Sequence, residues 1–360
     1  MRNSFNTAGF SEVVHETRDD PAEAWFSYMS RASHSPHRGL SVQNGPAMIG
    51  RVKSVRDFAF AVAEQPAADA GRARTAPQTT PPDEPTPIDL ALTGVAACSL
   101  ATLIAGGSAT GVLFDTVEML IQHGAIPPER ENAVDCRFEI SRGEDGPLPA
   151  TLLDRAVSLS PNHRTLIEHI PLNVSYVPCP GREDHQKITE TDMRVPAWPA
   201  AERRLRWISG PQFLSVPAQT GTGQELRVDQ PKQITGVDWG PNPQEYLLMG
   251  LSSDIASTLA RLSVEQLDRR MAWNVVTRAR IDIRGLLHAD PSSLIQLQDV
   301  SCTVSAPGTD DAASGLAEFV TSAVTQSRVA DLICRRQAVN VWLTPSAPTL
   351  LAPQGPQTPL

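Results

Sequence analysis

No run of 18 or more apolar residues occurs in the 360-residue chain, so no membrane span is expected. The first residues, Met1-Arg2-Asn3-Ser4-Phe5, lack the apolar core of a secretory leader, and the cytoplasm is the expected compartment. An excess of basic residues is also missing. With 31 Lys and Arg against 40 Asp and Glu, the formal net charge is -9, which argues against a nucleic-acid footprint. The five cysteines (Cys98, Cys136, Cys179, Cys302, Cys334) include no Cys-x-x-Cys and no regular spacing, so neither a zinc site nor a disulfide framework is expected. His34 and His37 share a loop with no third ligand, and no metal is expected there. Gly106-Gly107-Ser108 is followed by no Lys-Ser/Thr, so it is not a phosphate loop and no cofactor is implied; it is expected to break a helix.

What the chain does have is a repeat. Residues 240–254 (Gly-Pro-Asn-Pro-Gln-Glu-Tyr-Leu-Leu-Met-Gly-Leu-Ser-Ser-Asp) return, blurred, at 84–98 (Glu-Pro-Thr-Pro-Ile-Asp-Leu-Ala-Leu-Thr-Gly-Val-Ala-Ala-Cys). Each copy has an X-Pro-X-Pro turn, a carboxylate (Asp89, Glu245), an apolar helix, and then Cys98 or Asp254 nine residues after that carboxylate. Around the copies run alternating segments. Val275, Thr277, Ala279, Ile281 and Ile283 share one face of a strand, as do Val134, Cys136, Phe138 and Ile140. Proline is abundant and concentrates in 76–87, 178–200 and the tail from Pro345. The expected division is an N-terminal extension at 1–24, polar and acidic with no evident role; units at 25–178 and 201–344; a linker at 179–200; and a disordered tail at 345–360. Each unit should be α+β, with strands, a long central helix, more strands, a second helix and a last strand. Cys98 lies about 36 residues before the strand at 134, against about 19 from Asp254 to its strand, so an insertion near 106–124 is expected, with a helical segment at 112–121.

The string Gly240-Pro241-Asn242-Pro243-x-Glu245-x-Leu247-Leu248, opening a helix that carries Cys98 in the other copy, resembles the OsmC/Ohr family of organic hydroperoxide reductases. Ser160-Pro161-Asn162-His163-Arg164-Thr165-Leu166 is similar to the family's second landmark, with serine where the resolving cysteine stands. The resemblance covers most of 40–180 and 200–343. It implies an intramolecular pseudo-dimer of two OsmC-like domains, with paired central helices and flanking antiparallel sheets, acting as a monomer because the family's dimer is fused. It also implies a small organic substrate and a low-molecular-weight thiol or dithiol as reductant.

At the residue level several readings stay open. By the resemblance, Cys98 is a peroxidatic thiol with Asp89 as its carboxylate; by its apolar surroundings, Leu90 to Ile104, it is a small buried hydrophobe. Ser160 cannot close a disulfide, fits a helix N-cap before Pro161, and leaves a one-cysteine cycle unless another thiol substitutes, Cys179 being the nearby candidate. Asp254 is either a satisfied relic or a buried proton-transfer group. His163 is catalytic or packed near the cleft, and Arg164 and Arg328 are placed as equivalents. The resemblance implies an activating guanidinium from a loop between the early strands, with Arg31, Arg51 and Arg56 as candidates, and matches Glu245 to the family's carboxylate, able to serve either site in a crossed arrangement. Three functions follow: a thiol peroxidase on Cys98, a diverged enzyme using Cys98 and Asp254 on a small metabolite, or a non-catalytic binding protein.

Overall fold

The computed structural model describes residues 2–64, 84–124, 133–142, 148–177, 184–220, 224–307 and 315–345. The tail at 346–360 and Cys179 lie outside them. The chain opens with α1 (Thr7–Asp19), then β1 (Trp25–Ser35), β2 (Gly39–Asn44), β3 (Ala47–Ile49), β4 (Val52–Ser54) and β5 (Ala59–Val62). Next come α2 (Pro87–Thr110), β6 (Thr116–His123), β7 (Ala133–Ser141), α3 (Ala150–Ser158), α4 (Pro161–Glu168), β8 (Leu172–Tyr176) and β9 (Asp184–Ile188). The second half holds β10 (Ala201–Ser209), β11 (Gln212–Pro217), β12 (Leu226–Val228), α5 (Pro243–Leu267) and β13 (Trp273–Asp282). It ends with α6 (Ile283–Leu286), β14 (Gln298–Ser305), α7 (Leu316–Thr325), α8 (Arg328–Cys334) and β15 (Ala338–Pro345). The class is α+β.

Both long helices start for the same local reason. Proline fills the first helical position, where its missing N–H costs nothing, and the residue before it caps the helix. In α2, Thr86 and Asp89 form a reciprocal capping box; in α5, Asn242 and Glu245 do so. By length and hydropathy α2 meets the test for a membrane span, yet 78% of its apolar window is buried inside the molecule.

The two helices meet at glycine. A Cβ on Gly94 would lie 2.5 Å from the Pro243 carbonyl oxygen and 2.8 Å from the Leu247 nitrogen. A Cβ on Gly250 would lie 2.8 Å from both the Pro87 carbonyl oxygen and the Ala91 nitrogen. Under the repeat that aligns 84 with 240, these are the same contacts made twice with the roles exchanged.

Among the described residues there are two sheets, and each takes strands from both halves of the sequence. One runs β4-β3-β1-β13-β14-β8-β9, with β2 attached to β1 and β5 to β2; the other runs β12-β11-β10-β6-β7-β15. The stretches 25–178 and 201–344 therefore exchange strands, and neither closes a sheet from its own residues. The flanking sheets are mixed rather than antiparallel, because β8 pairs parallel with β14 and β15 parallel with β7. Three further expectations are corrected. β9 lies within 179–200, so part of that stretch is a sheet strand rather than linker. The expected insertion near 106–124 and helical segment at 112–121 are in fact the end of α2, a short connection and strand β6, where Val117, Met119, Ile121 and His123 alternate as the buried face. β6 begins at 116 after α2 ends at 110, and β13 begins at 273 after α5 ends at 267, so the spacing is the same in both copies. Nor does α2 break at Gly106-Gly107; it continues to Thr110, with Gly107 facing the Phe114 ring.

Gly94→Ala should destabilise the protein by about 1–3 kcal/mol, since the methyl group meets backbone that cannot retreat. Urea unfolding is the check, and an unchanged midpoint would contradict this account of the helix contact.

Candidate active site

A cavity of about 190 Å³ opens between the C-terminal half of α2 and the loops around α6. This exceeds the ~150 Å³ engineered cavity that holds a benzene. Its mouth carries exposed Ala109, Thr110, Arg155 and His288, and its walls are largely apolar, with Ala101, Ala105, Leu159, Ile234, Ile281 and Leu286. Its floor is Cys98, Tyr28 and Gln244, which are 3%, 2% and 3% exposed. Part of the roof is the segment that looked idle in the sequence. Phe5 and Phe10 line the cavity, and Asn3 is fixed by its amide to Ser108 Oγ (3.0 Å) and the Val112 carbonyl (2.9 Å).

Cys98 is a free thiol whose sulfur accepts from Gln244 Nε2 at 3.4 Å. Burial pushes it up to about 11, against the Asn162 N–H, the Ser160 hydroxyl and the Gln244 amide, which all favour the thiolate. Burial wins because those partners are neutral dipoles and no cation is among them. Ser160 is the N-cap of α4, as its type and the following proline imply. The Asn162 side chain ties the central helices together, donating to the carbonyls of Gly94 (2.8 Å) and Pro243 (2.9 Å).

Of the three candidate guanidinia, Arg56 is the buried one. Its Nη2 lies 2.5 Å from Glu245 Oε1, with side chains 6% and 1% exposed, whereas Arg51 pairs with Asp20 and Glu23 at the surface and Arg31 is exposed. Glu245 also accepts from Asn44 Nδ2 (3.1 Å) and the Asn242 N–H (2.8 Å). Burial raises its carboxyl despite Arg56 and these donors. A carboxylate of the second half thus holds a guanidinium of the first, in the crossed arrangement. The charges of Arg56, Glu245 and Cys98 all act on the Tyr28 hydroxyl.

The other expected site residues are placed elsewhere. Asp89 turns its carboxylate back on its own N-cap, taking the Thr86 N–H (2.9 Å) and hydroxyl (2.6 Å). Asp254 Oδ2 accepts from Ser327 Oγ (2.6 Å) and the Val329 N–H (2.9 Å), so it caps α8 as the Cys98 sulfur faces the start of α4. Burial raises its carboxyl, and it does not line the cavity. Arg328 sits against His123 and is pushed down to about 10 by burial. Since Ser160 and Ser327 are both N-caps, Arg328 matches Pro161 rather than Arg164. His163 is buried, is held down at about 4 by burial and then by Arg164, and does not line the cavity. Cys136, Cys302 and Cys334 are core thiols pushed up to about 12 by burial. Among the described residues no three metal-ligating side chains gather.

The residues missed were Tyr28, Gln244, Phe5 and Phe10. Gln244 was within the repeat itself, flanking the capping carboxylate, and Tyr28 is one of only three tyrosines on a strand that alternates. Comparison with protein-family models, curated proteins and solved structures yields no match.

Two outcomes are expected. Alkylation of Cys98 by iodoacetamide should accelerate about tenfold per pH unit from 7 to 9, because the thiolate fraction keeps growing up to a value near 11; a plateau below pH 9 contradicts this. Arg56→Ala should cost about 3–5 kcal/mol by leaving Glu245 buried and unpaired. Burial then favours the protonated carboxyl, so stability falls as pH rises and the loss is larger at pH 8 than at pH 5; equal losses by chemical denaturation at both would count against the pair.

Proposed function

We propose that the chain is a fused OsmC/Ohr-like pseudo-dimer with one working site, a thiol-dependent reductase of small apolar hydroperoxides acting through Cys98. Three features support the pseudo-dimer. The glycine contacts of the central helices are reciprocal, both helices open with the same capping box, and the strand orders β2-β1-β13-β14-β8 and β11-β10-β6-β7-β15 correspond position for position. The observation that carries the chemical reading is a free thiol beside Tyr28 at the floor of an apolar cavity.

In this reading Cys98–SH and ROOH give Cys98–SOH and ROH. Two equivalents of external thiol then return Cys98–SH, a disulfide and water, since Ser160 offers no second sulfur. Asp254 takes no part, because its Oδ2 is bound to the start of α8. A non-catalytic binding protein for the same class of apolar molecule is the second reading. The observation favouring it is the thiol pushed up to about 11, which leaves almost no thiolate at neutral pH.

Cumene hydroperoxide consumption with excess dithiothreitol separates the two. The reductase is expected to turn over, to lose activity completely on Cys98→Ser and to keep it on Asp254→Asn. Consumption that equals the protein-free rate would leave only the binding reading.

A further inference from the structure

The floor of the cavity carries a hydrogen-bond donor that the protein itself does not use. Tyr28 is 2% exposed, lines the cavity with Cys98, and its hydroxyl has no hydrogen-bond partner. The polar side chain beside it is Asn242, whose amide nitrogen is itself a donor left without a partner, so the hydroxyl proton finds no acceptor there. A buried hydroxyl left without a hydrogen bond costs about 1–3 kcal/mol, so one at the floor of a cavity is placed to bond an occupant. The neighbouring polar group on the floor, Gln244 Nε2, is also a donor, and it is spent on the Cys98 sulfur.

The second half of the chain acts as a control. In the frame of the repeat, Gln244 corresponds to Ile88 and Cys98 to Asp254. Tyr28 pairs with Ala279 across β1 and β13, and Ala201 pairs with His123 across β10 and β6, so Tyr28 corresponds to Ala201. The polar floor exists in one copy only, and its members are present together or replaced together.

We propose that the Tyr28 hydroxyl binds the substrate's oxygen at the floor of the cavity, so that the site takes small apolar molecules bearing an oxygen acceptor and discriminates against hydrocarbons of the same shape. This rests on the reductase reading for its chemistry, in which Tyr28 is the proton donor to the leaving group. The Cys98 sulfur bonds to the terminal hydroxyl oxygen of ROOH while the O–O bond breaks with its electron pair on the alkoxy oxygen. Tyr28 gives its proton to that oxygen, releasing the alcohol, and the proton lost by the thiol restores Tyr28. Sulfur is oxidised to the sulfenic acid, the peroxide is reduced, and an external thiol closes the cycle.

The test uses the full chain, with 2-phenylpropan-2-ol and cumene as a matched pair in calorimetric titrations. The wild-type protein is expected to bind the alcohol roughly tenfold tighter than the hydrocarbon, the worth of one buried hydrogen bond. Tyr28→Phe should bind cumene as before and the alcohol no better than cumene. Its unfolding midpoint should not fall, because no internal hydrogen bond is lost. Its kcat/KM for cumene hydroperoxide should drop at least tenfold while its rate of alkylation by iodoacetamide stays that of the wild type. A preference for the alcohol that survives Tyr28→Phe overturns the proposal, as does a wild-type protein with no preference or no binding. Should the variant fail to fold, the wild-type preference decides alone. A preference lost on Tyr28→Phe in a protein that consumes no peroxide leaves the oxygen subsite standing and removes the reductase reading.

Discussion

Two helices can close to backbone contact where the residue of one that faces the other carries no side chain, and the rest of this molecule depends on such a contact. Gly94 and Gly250 let α2 and α5 close until carbonyls and amides are nearest neighbours. That approach sets which residues can meet across the helix pair. It brings Gln244, at the start of α5, within hydrogen-bonding distance of Cys98 on α2. It also delivers Glu245 to Arg56, which belongs to the loop after β4. A wider helix separation would leave the floor of the cavity without its second wall.

Burial then decides what each polar group in that interior can be. The same desolvation raises Cys98, Glu245 and Asp254 and lowers His163. What distinguishes them is the company they keep. Glu245 has a guanidinium and two amide donors, and Asp254 has a hydroxyl and a backbone N–H. Cys98 has only weak dipolar partners and an open cavity beside it. The two copies of the motif thus diverge through what surrounds the ninth residue after the carboxylate as much as through the residue itself.

Much of this was legible in the sequence because it is local. The paired helices, their capping boxes and the strand at 273–282 follow from short-range pattern: proline at the first turn, a carboxylate three residues after the cap, and period-2 alternation. The helical expectation at 112–121 fails because Val117, Leu120 and Ile121 fit a helical spacing as well as a strand, and a short apolar run does not choose between them. The parallel pairing of β7 with β15 joins positions about two hundred residues apart, and nothing in either strand announces its mate. For the site, Cys98 and Glu245 could be picked out because they stand in a repeated motif. Tyr28 and the aromatic roof could not, because their meaning lies entirely in what they face.

The exchange of strands between the halves also has a consequence on the ribosome. β1 finds its neighbour in β13, with Trp25 against Asp282, and β6 finds its neighbour in β10. At about 5–20 residues per second, translation needs roughly 13–50 s to travel from the first of these positions to the second. During that interval the nascent amino-terminal half carries a long strand whose inner edge has no mate. A cell making this protein must therefore shield that edge from other chains until the last third of the polypeptide emerges.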